Sequence, residues 1–165
     1  MKNFLLLFIF AFTVLTSCTS NETTTYYLIR HAEKDRTDKT NRNPDLNKNG
    51  QERAKKWANH FKNVQFDAIY STNYNRTLQT ATPTAESKNL EIIKYNPSKM
   101  YDSIFQQETK GKTVLVVGHS NTTPAFVNKI LGEKKYKDMD DDNNASLYIV
   151  TITGDKKTSK IIKVD

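Results

Sequence analysis

The chain has 165 residues, 36% of them hydrophobic and 26% charged, and 25 lysines and arginines face 18 acids for a formal net charge of +7. That length suits one domain with its own core and argues against a multidomain array. The basic excess favours anionic ligands or surfaces, but the lysines are scattered from Lys34 to Lys163 without aromatic interleaving or zinc-ligand spacing, so nucleic acid is not the expected partner.

Met1-Lys2-Asn3 followed by the apolar run Phe4 to Val14 has the charge and length of an export signal and is too short to span a membrane. The run closes in Leu15-Thr16-Ser17-Cys18, which resembles a bacterial lipobox. Residues 1–17 are therefore predicted to be a lipoprotein signal peptide, Cys18 the lipidated residue, 18–25 a polar tether and 26–165 the folded domain. Acyl chains on Cys18 would anchor the protein to a membrane without spanning it, on the periplasmic or outer-membrane face of a cell envelope. Cys18 is also the chain's single cysteine, so no disulfide forms within it.

Tyr26-Tyr27-Leu28-Ile29 is aromatic and β-branched, as a buried strand requires, and stops abruptly at Arg30-His31-Ala32-Glu33. After a polar stretch, Leu46, Ala54, Trp57, Ala58 and Phe61 recur at helical spacing, predicting a helix from about Asn47 to Phe61 capped by Asn47. Trp57 reads as core on that face, and His60 at its end as a partner of the helix dipole. Phe66 to Tyr70 is a second strand, leading through Ser71-Thr72-Asn73 to a helix that begins near Arg76; Pro83 predicts a kink or a restarted turn in it. Glu91 to Tyr95 is a short strand, and Asn96-Pro97 opens a helix carrying Met100, Tyr101, Ile104 and Phe105 that ends near Gly111. Thr113 to Val117 is continuously apolar, the pattern of a central strand covered on both faces. Gly118-His119-Ser120-Asn121 follows, then a helix from Thr122 to Leu131 stopped by Gly132. The acidic run Asp138 to Asp142 reads as a solvated loop, since it lacks the spacing and glycine of a calcium loop. Ser146 to Thr153 and Lys160 to Val164 flank Gly154-Asp155 as a terminal hairpin. Strands alternating with helices predict an α/β fold: a three-layer α/β/α sandwich with a mostly parallel central sheet.

Three strand ends thus carry polar chemistry: Arg30-His31, Ser71-Thr72-Asn73 leading to Arg76, and Gly118-His119. In a parallel sheet these ends share one edge, where ligands bind. Two guanidinium forks and two imidazoles suit a tetrahedral dianion: the arginines neutralise its oxygens, one histidine attacks phosphorus, and the other donates to oxygens as charge shifts. That set implies phosphoryl transfer on a small phosphorylated substrate, without a metal or other cofactor.

Leu28-Ile29-Arg30-His31-Ala32-Glu33, Tyr70-Ser71-Thr72 with Arg76-Thr77-Leu78-Gln79-Thr80-Ala81, and Val117-Gly118-His119-Ser120 together resemble the histidine phosphatase superfamily, of phosphoglycerate-mutase-like fold, over about Tyr26 to Gly132. The compact length resembles the small phosphohistidine-phosphatase-like branch. The resemblance implies His31 as the nucleophile that becomes phosphohistidine, Arg30 and Arg76 as ligands of the phosphoryl oxygens, and His119 as completing the pocket. The family motif usually reads Arg-His-Gly, and Ala32 departs from it. Larger members carry a general acid on an inserted segment between the second arginine and the second histidine; this chain is short there, and Glu33, Glu86 and Asp102 are the candidates for that role. The second reading, motivated by the missing acid, is a phosphate-binding lipoprotein of the same fold without efficient catalysis.

Overall fold

The computed structural model describes residues 22–164; the expected signal peptide and Cys18 lie outside the described residues. In chain order the elements are β1 (Thr23–Arg30), α1 (Lys48–His60), β2 (Ala68–Ser71), α2 (Asn75–Lys88), β3 (Ile92–Lys94), α3 (Ser103–Thr109), β4 (Thr113–Gly118), α4 (Thr122–Leu131), β5 (Ser146–Thr153) and β6 (Lys156–Lys163). One sheet holds all six strands in the order β3-β2-β4-β1-β5-β6. β3, β2, β4 and β1 run parallel, while β5 is antiparallel to β1 and β6 to β5.

The alternation of side chains along the central strands makes the three layers. Tyr26, Leu28, Val114 and Val116 point to one face and pack on Phe105 of α3 and Phe126, Val127 and Ile130 of α4. Ile29, Leu115 and Val117 point to the other, against Trp57 of α1, Phe61 at its C-cap, and Ala81 and Ala85 of α2. With both faces covered, β4 needs apolar residues at every position, which is why its run shows no period of two. Trp57 is 1% exposed, the core role its helical spacing predicts.

Several elements differ from the sequence reading. Thr23 to Thr25, expected in the tether, belong to β1, where they pair with Thr153, Ile152 and Thr151 of β5; threonine is polar enough to read as linker and β-branched enough to form strand. α2 continues as one helix through Pro83, so of the two expectations the restarted turn does not occur. The carbonyl that loses its helical donor there belongs to Gln79, on the exposed side of the helix, where an unmatched carbonyl costs little. The helix expected after Asn96 is divided: a 3₁₀ turn over Pro97–Lys99 is capped by Asn96, Tyr101 adopts φ 55°, and α3 restarts with Asp102 as its cap. β6 begins at Lys156 rather than Lys160, so the hairpin closes tightly around Gly154-Asp155.

Parallel register fixes the functional edge. Arg30 of β1 lies opposite Gly118 of β4, and Ser71 of β2 opposite Val117, so the three strand ends singled out by sequence leave the sheet side by side.

Candidate active site

His31 is pinned through its backbone before its ring is considered. Its N–H donates to the Gly118 carbonyl at 2.9 Å, and its own carbonyl accepts from Asn144 Nδ2 at 2.8 Å. The next amide, that of Ala32, donates to Thr80 Oγ1 at 2.8 Å. The ring nitrogen Nδ1 lies 2.7 Å from the Ala32 carbonyl. A carbonyl can only accept, so Nδ1 carries the hydrogen and Nε2 keeps its lone pair. Burial pushes the imidazole pKa down to about 3, and the fields of Arg30, Arg76 and His119 act in the same direction against the Ala32 bond. The ring is neutral across ordinary pH, with Nε2 unprotonated.

The His119 ring lies 5.5 Å from that of His31, centroid to centroid. Its Nε2 is 2.9 Å from Thr72 Oγ1, whose hydroxyl donates to Thr77 Oγ1, which in turn donates to the carbonyls of Thr72 and Tyr74. Followed back from the carbonyls, that chain leaves Thr72 as acceptor, so His119 donates from Nε2 and its Nδ1 lone pair faces Arg76 Nη2 at 3.5 Å. Burial, then Arg76, Arg30 and Lys34, lower its pKa to about 4. Gly118 permits this arrangement: a Cβ there would come within 2.9 Å of Thr123 Oγ1 and 3.1 Å of Thr122 Oγ1, at the start of α4.

Arg76, in the first turn of α2, sits over the Tyr74 ring, 4.5 Å from guanidinium carbon to ring centroid. Burial lowers its pKa somewhat. Its Nε and Nη1 are buried and meet no acceptor among the described residues. Arg30 is placed differently from the open fork that the sequence suggests. Its Nη1 donates to the carbonyls of Asp140, Asp141 and Asn143 at 2.9, 3.0 and 3.3 Å, and Nη2 reaches Asp141 Oδ1 at 3.1 Å. The acidic loop read as merely solvated therefore closes over Arg30 and leaves its buried Nε without an acceptor among the described residues.

All four predicted residues thus converge at one edge, beside a cleft of about 920 Å³ lined by His31, Glu33, Lys34, Arg36, Asp141 and Asn144 among others. Of the three candidate acids only Glu33 reaches it, with Oε1 held by Arg53 Nε at 2.7 Å. Glu86 lines a separate concavity at the far end of α2, and Asp102 accepts from Phe105 N as the cap of α3. The supporting roles of Asn144, Thr80 and Asp141 escape a sequence reading, because each acts through hydrogen bonds between elements far apart in the chain, and Thr72 and Thr77 stand in the motif without their place in the His119 hydrogen-bond chain being visible. Only the polarity of Thr72 and Thr80, next to apolar strand and helix positions, hints at them.

A family model described as "Histidine phosphatase superfamily (branch 1)" matches residues 26–96. Over 51 residues the chain is 45% identical to phosphoserine phosphatase 1 of Hydrogenobacter thermophilus, a stretch covering 31% of this chain and about a quarter, 24%, of that protein. Among solved structures, the protein histidine phosphatase SixA complexed with tungstate superposes with a TM-score of 0.67 at 17% identity, covering 84% of this chain and 96% of that one. Phosphoglycerate mutase from Bacillus anthracis gives 0.65 at 13% identity, with coverage of 87% and 94%. Residues 26–96 therefore carry the sequence pattern of the histidine phosphatase superfamily, on a chain whose described residues adopt the phosphoglycerate-mutase-like fold.

Proposed function

We propose that this chain is a metal-independent phosphatase that hydrolyses a phosphomonoester or phosphoramidate through a phosphohistidine intermediate on Nε2 of His31. The observation that carries the reading is the His31 ring itself: Nδ1 is committed to the Ala32 carbonyl, Nε2 holds a lone pair, and burial keeps the imidazole neutral. In the first step Nε2 attacks phosphorus, the bond from phosphorus to the leaving oxygen or nitrogen breaks, and the leaving group takes a proton from solvent, which the water consumed in the second step returns. In the second, water adds to phosphorus, the P–N bond breaks and inorganic phosphate is released. Unmatched donors on Arg30 and Arg76 meet the phosphoryl oxygens. The anion also offsets the cationic field at His119, favouring protonation of Nδ1 and a further donor to the substrate. Phosphoserine and phosphohistidine are the first substrates to try, since the curated relative is a phosphoserine phosphatase and a structural neighbour a protein histidine phosphatase.

The test compares hydrolysis of p-nitrophenyl phosphate, in the presence of EDTA, by the wild-type chain and by His31→Ala. Turnover is expected to survive the chelator and to fall by about 10³-fold or more in the variant. An active variant, or a wild type silenced by EDTA, would overturn the mechanism. A wild type that binds phosphate but turns over no ester would favour the phosphate-binding lipoprotein instead.

The proposal includes the location: a lipid on Cys18 holds the enzyme at the cell envelope. The residue pattern from Lys2 to Cys18 supports this reading. Cys18→Ala should shift the protein from the membrane fraction to the soluble fraction or leave it as an uncleaved precursor; a mature, membrane-bound variant would exclude the anchor.

A further inference from the structure

We infer that Arg36 is a third oxyanion-binding arginine of this site, and that the Asp141 carboxylate holds the place which a substrate's phosphoryl oxygens take on binding. The inference rests on the phosphatase reading and extends it to a residue outside the tetrad.

Asp141 bridges two arginines with one oxygen each: Oδ1 lies 3.1 Å from Arg30 Nη2 and Oδ2 lies 2.9 Å from Arg36 Nη2. A guanidinium accepts a carboxylate and a phosphoryl group with the same geometry, so a site that holds one anion in this way is shaped for the other. The two sides of the bridge are unequal. The Arg30 side chain is 3% exposed and fixed, whereas that of Asp141 is 73% exposed and can swing out. Arg30 keeps its position without Asp141's carboxylate, because Nη1 is held by three backbone carbonyls of the same loop. Arg36 and Asp141 line the cleft that also exposes His31.

The charges around this point favour a dianion. Lys34 feels the fields of Arg76, Arg36 and Arg30 together, opposed by Asp141, and Asp141 itself is paired with both Arg30 and Arg36. The other acids lining the cleft are differently engaged: Glu33 is paired with Arg53, Asp35 accepts from Thr37 N, and Asp142 takes part through its carbonyl, which accepts from Asn144 N. Buried donors on Arg30 and Arg76 have no acceptor among the described residues, so one carboxylate leaves the site's capacity for oxygen unfilled. A phosphoryl dianion displacing Asp141 keeps the bonds to Arg30 Nη2 and Arg36 and adds oxygens for those donors. The carboxylate thereby sets a threshold: a singly charged anion only replaces it, whereas a dianion gains.

The experiment measures binding of inorganic phosphate by calorimetry to the wild type, Asp141→Asn, Arg36→Gln and the double variant, with melting temperatures as the check on folding. Removing the internal competitor should tighten phosphate in Asp141→Asn by about fivefold, equivalent to about 1 kcal/mol. Arg36→Gln should weaken phosphate, and in the double variant it should cancel the gain. Unchanged or weaker binding in a folded Asp141→Asn would overturn the inference, as would indifference to Arg36→Gln or a failure of all four proteins to bind phosphate. Because binding is read without turnover, the expected pattern in a protein that hydrolyses nothing would support Arg36 while the catalytic reading failed.

Discussion

Thr80 shows how much of the site depends on residues that touch no substrate. Its side chain is fully buried; the hydroxyl donates to the Arg76 carbonyl at 2.6 Å and accepts from the Ala32 amide at 2.8 Å. The carbonyl of that same Ala32 orients the His31 ring. One hydroxyl therefore ties the helix turn carrying Arg76 to the peptide that sets the tautomer of the His31 ring. Valine has the same shape without the hydroxyl, so Thr80→Val should leave the Ala32 amide buried and unpaired at a cost of about 1–3 kcal/mol in stability. Beyond that loss, kcat should fall by about tenfold with KM little changed, since the ring's orientation rather than the anion's contacts is disturbed. Thr80→Ser, which keeps the hydroxyl, should restore kcat. Equal kcat in the valine and serine variants would reduce Thr80 to a packing residue. The sequence made Arg30, His31, Arg76 and His119 visible because each is a charged or titratable residue set at the end of an apolar run. Thr80 and Asn144 are common polar residues whose bonds to the His31 segment reach 48 and 113 positions along the chain.

Element by element, legibility followed how local the cause was. α1 declares itself through its cap Asn47, which accepts from Gly50 N, and through the spacing of Ala54, Trp57 and the C-cap Phe61, all of them local to one helix. Its fit to the site is not local. A Cβ on Gly50 would stand 2.1 Å from the Glu33 carbonyl, so the glycine lets the first turn of α1 press against the segment that follows His31. There Glu33 accepts from the Asn47 amide, and its side chain takes Arg53 from the next turn. Glycine in a helix interior ordinarily costs stability relative to alanine; here the close approach explains its presence. The unbroken course of α2 through Pro83 and the division of the helix after Asn96 were not legible for a related reason. Proline signals a break from within the chain, whereas α2 packs along α1 for much of its length and presents Ala81 and Ala85 to the sheet. Tertiary packing overrides the local preference.

At the scale of the whole molecule, the chemistry of the site opposes the stability of the fold at low pH. Both imidazoles sit at the end of the buried β1–β4 pair and are held neutral, with values near 3 for His31 and 4 for His119 against 6.5 for an exposed histidine. As pH falls below 6.5 the unfolded chain takes up protons that the folded chain refuses. The stability these histidines contribute is therefore complete above 6.5 and is lost progressively toward their folded values. Each group can account for up to about 1.4 kcal/mol per pH unit in that interval. Carboxylates of lowered pKa, such as Asp141, add acid sensitivity only nearer their own range, so pH 5 to 7 isolates the histidines. Thermal unfolding of the wild type should show a melting temperature that falls steadily from pH 7 to 5, while His31→Gln combined with His119→Gln should give a nearly flat profile over the same window. Saturating inorganic phosphate should raise the wild-type melting temperature most near pH 7, where the dianion is present, by binding only the folded state. Parallel slopes in the wild type and the double variant would show that the two rings ionise freely in the folded protein. In that case a proton would block Nε2 at mildly acidic pH, and the neutral-nucleophile chemistry would be confined to pH above about 6.5.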